Sequence, residues 1–312
     1  MMHALLPLAS VLPPFTLNLW QDARDILQYG FMRQALLAGT ALAVVAGLVG
    51  YYVVLRHQAF AGESLSDVAF AGALGGAAFG LNPLVTLLGA TILVALAMGA
   101  LGERLRGRDV AIGTLLAFVL GLGVLFLRLF AARASGRGTG FSGISVLFGN
   151  LLGISDDQLR VIVLVSLGVA LALAVIGRPL LFASLDADVA AARGVPVRAL
   201  GLAFMALLAV TVSEATLAVG ALLVFALLLL PAAIAHQLTA RPAAALAAAA
   251  AIAVLLTWIG SVIGFYTGYP GSVCISLLAF ASYVAVVGGG QAARWLGRVR
   301  RPSLAVETAA KG

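Results

Sequence analysis

Apolar runs of about twenty residues follow one another from the first quarter of this 312-residue chain almost to its end, each long enough to cross the hydrocarbon core of a bilayer. Inside lipid every backbone N–H and C=O must find its partner within the protein, which leaves α-helices or closed barrels. Runs of this length, without strict alternation, select helices. The sequence therefore predicts an all-α polytopic membrane protein. With 62% apolar and 10% charged residues, against roughly 45–50% and about 25% in soluble domains, a water-soluble globule is excluded.

Spans are expected near 31–54, 59–80, 84–101, 110–130, 159–177, 199–213, 216–236, 243–267 and 272–290. A further apolar segment, Phe141 to Ile154, is short for a crossing and suits a re-entrant or interfacial helix, so nine or ten crossings are expected. Residues 1–30 read as a membrane-surface lead-in and not as a cleavable signal: no positive charge precedes Arg24, and Pro7, Pro13 and Pro14 interrupt the apolar run. Residues 31–290 form the transmembrane domain and 291–312 a basic tail with Arg294, Arg298, Arg300, Arg301 and Lys311.

The positive-inside rule puts that tail in the cytoplasm. Counting back, the turn Tyr269-Pro270-Gly271 lies outside, the loop with Arg241 inside, the Glu214 region outside, and the loop Arg178 to Arg198 inside. The number of basic residues on the inner side differs by only one between nine and ten crossings, which leaves the side of the N-terminus open.

Of the 19 basic residues only Lys311 is a lysine, so no phosphate-binding loop with its obligatory lysine exists here. Any ATP must be hydrolysed on another chain. The single Cys274 excludes an internal disulfide and a thiolate metal cage. A multi-pass protein of the cell membrane with no enzyme motif of its own and no nucleic-acid partner is expected.

Two acids break the second span. Glu63 and Asp67 stand four residues apart, about 40° around a helix, on one face. An acid at a helix centre costs about 2.5–3.5 kcal/mol, and two like charges so close repel unless a cation, a proton or water lies between them. Gly72, Gly76 and Gly80 form a small-residue stripe on another face, where a neighbouring helix can approach closely. Glu63 and Asp67 are thus candidate ligands of a cation in transit; the plain alternative is an interfacial Glu63 and a capping Asp67.

Glu214, between two spans on the outer side, is a weaker candidate for an electronegative vestibule or a solvated loop acid. His236, after Pro231 near an inner helix end, is an exit ligand or an interfacial residue. Between them, Asp186 to Pro196 reads as a short capped helix on an inner loop. Asp186 is its N-cap, Asp188 and Arg193 suit the dipole, Gly194 is the left-handed C′ residue, and Pro196 stops it. Its alanine face, with Ala190 and Ala191, can press close to a partner surface.

Taken together, these segments resemble the membrane permease subunits of ABC importers for zinc, manganese or related divalent metals, over about 31–290. In that family the second span reads glycine, aspartate, two residues, serine, histidine and then proline-glycine. Gly62, Glu63, Leu65, Ser66 and Gly72 keep this frame, while Asp67 stands for the histidine and Ala71 for the proline. Leu147-Phe148-Gly149, Asp186 to Gly194, and Val219-Gly220-Ala221-Leu222-Leu223-Val224 with Pro231-Ala232-Ala233 keep the family's order and spacing.

The resemblance implies a homodimer of the metal/cobalamin-type layout, two P-loop ATPase subunits docked on the coupling helix at 186–194, an extracytoplasmic metal-binding protein, and zinc, manganese or iron as cargo. It carries the metal-contacting pair onto Glu63 and Asp67, which makes an all-oxygen site. Two other readings are a permease for a metal chelate or cobalamin-like ligand and, from a different class, an intramembrane enzyme using the two acids as acid and base.

Overall fold

The computed structural model describes residues 28–101, 108–134, 149 and 151–299. Among them stand nine helices of 18 residues or more and one short one: α1 Gly30–Leu55, α2 Ala59–Phe79, α3 Pro83–Leu101, α4 Arg108–Ala134, α5 Asp156–Leu185, α6 Ala187–Ala192, α7 Val197–Val219, α8 Ala221–Leu238, α9 Pro242–Thr267 and α10 Gly271–Val299. No strand occurs among the described residues. By length and composition α1, α3, α5, α7, α9 and α10 can cross a membrane, and α4 and α8 carry shorter apolar stretches. The helix containing both acids, α2, packs among them.

The helix ends follow local chemistry. Gly80 (φ 74°) and Gly268 (φ 71°) close α2 and α9 in the left-handed conformation, which costs a residue without Cβ little. Helix α5 begins earlier than expected because Ser155 and Gln158 form a reciprocal capping box, satisfying two of the orphan N–H groups. It also runs past Pro179 to Leu185, so the inner connection is shorter than Arg178 to Arg198. Similarly α10 runs beyond 290 to Val299; the rest of the basic tail, and residues 1–27, lie outside the described residues.

Side-chain contacts fix the orientation of the spans. Tyr29, just before α1, packs on Phe265 near the end of α9, with ring centroids 5.8 Å apart. Gln34 donates to Asp156 at the start of α5. At the opposite end, Tyr51 stacks on His236, and Arg56 donates to Ser184. With the Arg178 to Arg198 side inward, α1 begins outside and ends inside.

The end of α4 lies beside the outer end of α2, where Phe79 meets Phe126. The start of α5, where Gln34 meets Asp156, lies at the same end of α1 as Tyr29. Of the segment Phe141 to Ile154, residues 141–148 and 150 lie outside the described residues. Leu151–Gly153 is a single 3₁₀ turn, with Leu151 facing Gly39 of α1.

Helix α1 is the central post, touching α5, α7, α8 and α9. A Cβ on Gly50 would land on the carbonyl of Leu228, and one on Gly47 would stand 2.7 Å from the carbonyl oxygen of Ala249. Backbone therefore meets backbone, the close approach that small residues permit in a membrane. Gly50→Ala is expected to cost about 1–3 kcal/mol, since α8 has to move away. A lower midpoint of thermal unfolding in detergent checks this; an unchanged one means α1 and α8 do not meet at this glycine.

Candidate functional site

Three faces of α2 are covered. Gly62 lies against Leu228 of α8, and the Ser66 hydroxyl donates to the carbonyl of Ala221 over 2.8 Å. Gly72 and Gly76 face Thr86, Leu87 and Ala90 of α3, the close neighbour expected of that stripe. Gly80 does not extend the stripe; with open space around its Cβ position it serves as the left-handed cap. On the side toward α4, Phe70 fills the space left by Gly123, and Phe126 fills that left by Gly75.

The remaining face carries Phe60, 56% exposed, and the half-buried pair Glu63 and Asp67. Both acids lie within the first three turns of α2. Neither carboxylate has a hydrogen bond or ion pair among the described residues, where the one salt bridge is Arg160–Asp157 on the surface. No group of three or more His, Cys, Asp or Glu able to hold a metal occurs among the described residues. One chain thus presents two partly exposed oxygen-donor side chains near the start of α2, with Leu74 and Ala78 buried further along the same side, and no finished cage.

Glu214 is not in a loop. It stands inside α7, 8% exposed, because that helix continues to Val219 and breaks only at Gly220. Gly220 adopts φ 89° and ψ 151°, a conformation essentially confined to glycine. The Ser166 hydroxyl of α5 donates to Glu214 Oε1 over 3.2 Å, and Oε2 has no partner. Enclosed in this way, Glu214 does not line an outer vestibule. Its neighbour Ser213 hydrogen-bonds Thr91 of α3.

His236 occupies the last turn of α8, with its ring parallel to Tyr51 at a centroid distance of 4.6 Å. Its Nε2 lies 3.4 Å from the Tyr51 carbonyl oxygen. It packs α8 on α1 at the inner end, apart from any cluster of ligating groups among the described residues.

The short helix α6 forms as the sequence predicts. The Asp186 carboxylate accepts from the Val189 N–H over 2.9 Å, Gly194 has φ 84°, and Arg193 lies over the Phe182 ring. One detail is corrected: Ala190 is 0% exposed and packs inward on its own chain, so it is not part of an outer alanine face. The residues left exposed here are Leu185 (66%), Asp186, Asp188, Val189 (43%), Ala191 and Ala192, with Asp188 and Ala192 on the side opposite Ala190. A helix this short has room for one inward residue per turn, and α5 and α7 occupy that side.

Sequence reasoning did not single out the pairings Ser66–Ala221, Ser166–Glu214 and Thr91–Ser213. The only signal was a hydroxyl in an apolar span, which names no partner. The glycine-rich stretch Ser135 to Gly140 lies outside the described residues.

Comparison with known proteins agrees with this architecture. The ABC 3 transport family matches residues 28–288. The manganese transport system membrane protein MntC of Halalkalibacterium halodurans is 32% identical over 236 residues, covering 74% of this chain and 77% of MntC. The chelated iron transport system membrane protein YfeC of Yersinia pestis is 30% identical over 282 residues, covering 88% of this chain and 92% of YfeC. Among solved structures, PsaBC from Streptococcus pneumoniae in complex with Fab superposes with a TM-score of 0.74 at 23% identity, over 86% of this chain and 95% of that one.

Proposed function

The chain belongs to the ABC 3 transport family, and from that membership we infer that its helices form the membrane permease of an ATP-driven importer for a divalent metal cation. It is a multi-pass protein of the cell membrane. The observation that carries the finer reading is the pair of partly exposed carboxylates on one side of α2, neither with a hydrogen bond or ion pair among the described residues.

An acid left against lipid costs up to about 2.5–3.5 kcal/mol at a helix centre and less toward the ends; Asp67, in the third turn of α2, lies deeper than Glu63, and that face belongs to a polar path. A second copy of the chain related by a two-fold axis brings its own Glu63 and Asp67 opposite the first pair. Four carboxylates with a few waters then supply the oxygen shell a hard dication takes, and they cancel the repulsion within each pair. One chain's two donors are too few for a resident site, which suits cargo that must leave again.

Fuel comes from elsewhere, since the chain lacks the lysine of a phosphate-binding loop. Two P-loop ATPase subunits engage α6 from the cytoplasm through its exposed residues, Asp188, Val189, Ala191 and Ala192 among them, and an extracytoplasmic binding protein delivers the ion at the outer ends of α1 and α9.

An all-oxygen pair favours manganese over zinc, for which imidazole is the better ligand. The test is uptake by the complete importer in proteoliposomes, with manganese, zinc and iron(II) compared. Manganese is expected to be preferred, and Asp67→His to move the manganese-to-zinc ratio toward zinc by about tenfold. Import of a chelated metal in preference to the free ions overturns the bare-cation reading.

A further inference from the structure

The acids on α2 and the inner helix α6 sit on different elements, so displacement of α6 reaches the acids only through the helices between them. Helix α6 has two arms. One is α5 and the other is α7, which climbs away from the inner surface and ends at Gly220. The next residue, Ala221, accepts the hydrogen bond of Ser66. Ser66 is buried, three residues after Glu63 and one before Asp67. The two arms are themselves tied in the apolar interior, where Ser166 of α5 donates to Glu214 of α7. Beside this tie, Ser213 of α7 bonds Thr91 of α3, and α3 covers the glycine stripe of α2.

Apolar faces in a membrane slide over one another at little cost, because lipid tails solvate them as well as a neighbouring helix does. A hydrogen bond in the same surroundings resists sliding, since breaking it leaves a polar group unpaired where no water replaces the partner. Glu214 makes the case sharply. It is a carboxyl group enclosed by protein, with one oxygen held by Ser166 and the other without a partner. Such a residue is costly to keep for packing alone.

We propose that Glu214 and Ser66 are positioning residues of the transport cycle. The Glu214–Ser166 tie makes the two arms of α6 move as one body, and the Ser66–Ala221 bond, to the first residue of α8 next to the Gly220 junction at the end of α7, hands the movement to the part of α2 that carries Glu63 and Asp67. The inference rests on the reading above, that those acids handle the cation and that α6 meets the ATPase.

The experiment measures cations imported per ATP hydrolysed by the complete importer in proteoliposomes. Ser66→Ala, Glu214→Leu and Ser166→Ala are each expected to lower that ratio about tenfold, within the usual range of coupling between sites, while ATP hydrolysis continues. Glu214→Gln keeps an acceptor oxygen for Ser166 and keeps the parental ratio. Parental ratios in Ser66→Ala and Ser166→Ala overturn the proposal, as does a Glu214→Gln variant as impaired as Glu214→Leu. If Glu214→Leu does not assemble, the two serine variants still decide. The Glu63→Gln, Asp67→Asn double variant separates the two levels. Normal import by it sinks the underlying site reading, whereas its loss alongside fully coupled serine variants sinks this inference alone.

Discussion

Replacing Glu63 by Gln and Asp67 by Asn together is expected to reduce cation import at least about a hundredfold. Removing the charged partner of an ion held away from bulk water costs about 3–5 kcal/mol, and about 3 kcal/mol is already a factor of about a hundred. The amides keep the shape and much of the hydrogen-bonding capacity of the acids, and both side chains are only half buried with no partner to lose. The variant should therefore fold, reach the membrane and bind its ATPase subunit as the parent does. Uptake of radioactive manganese, normalised to the amount of assembled complex, is the measurement. Parental uptake removes Glu63 and Asp67 from the path, and lost assembly with lost uptake assigns them a packing role instead.

The second large effect is expected at α6. Val189→Asp replaces an exposed apolar side chain of α6 by a second acid beside Asp188. Burying that charge against a partner without a counter-ion costs several kcal/mol, enough to lower copurification of the ATPase subunit at least about tenfold. The chain itself loses little, because Val189 is 43% exposed and its backbone N–H stays bonded to Asp186. Coexpression, affinity capture on the permease and quantitation of the bound ATPase decide it. Unchanged capture together with a parental elution profile excludes α6 as the docking element.

How much of this was legible beforehand depends on whether a feature is local. The spans are, since each needs only its own run of apolar residues, and all nine long helices occur near their expected places, the exception in their bounds being the α7–α8 break, which falls at Gly220 and not near Glu214. The cap of α6 was legible for the same reason: Asp186, Gly194 and Pro196 act within two turns of one another. The start of α5 was written in Ser155 and Gln158, a capping-box spacing that hydropathy alone passes over.

Glu214 shows the opposite case. Ser213-Glu214 lowers the local hydropathy and looks like a loop between spans, yet the true break is the single residue Gly220, six positions later. What makes the acid tolerable inside is Ser166, 48 residues away in the chain. Ala190 was misdirected for a related reason. A six-residue helix shows its alanines on every side, and only the position of α5 and α7 selects the one that faces in.

By itself the sequence determined that this chain is a bundle of membrane-spanning helices, that two acids share one face of the second of them, and that it carries no phosphate-binding loop with its lysine. Hydrocarbon allows the backbone few other forms, helical spacing fixes which side chains share a face, and a missing lysine is missing in every fold. Only the tertiary structure decided that the two acids of α2 stay partly exposed without a partner among the described residues, that Glu214 is enclosed and tied to Ser166, and that the end of α1 lies beside the ends of α5 and α8. Apolar helix faces attract one another without direction, so neighbours are chosen by where glycines let backbones meet and where a hydroxyl finds its acceptor, and both lie far apart in the sequence.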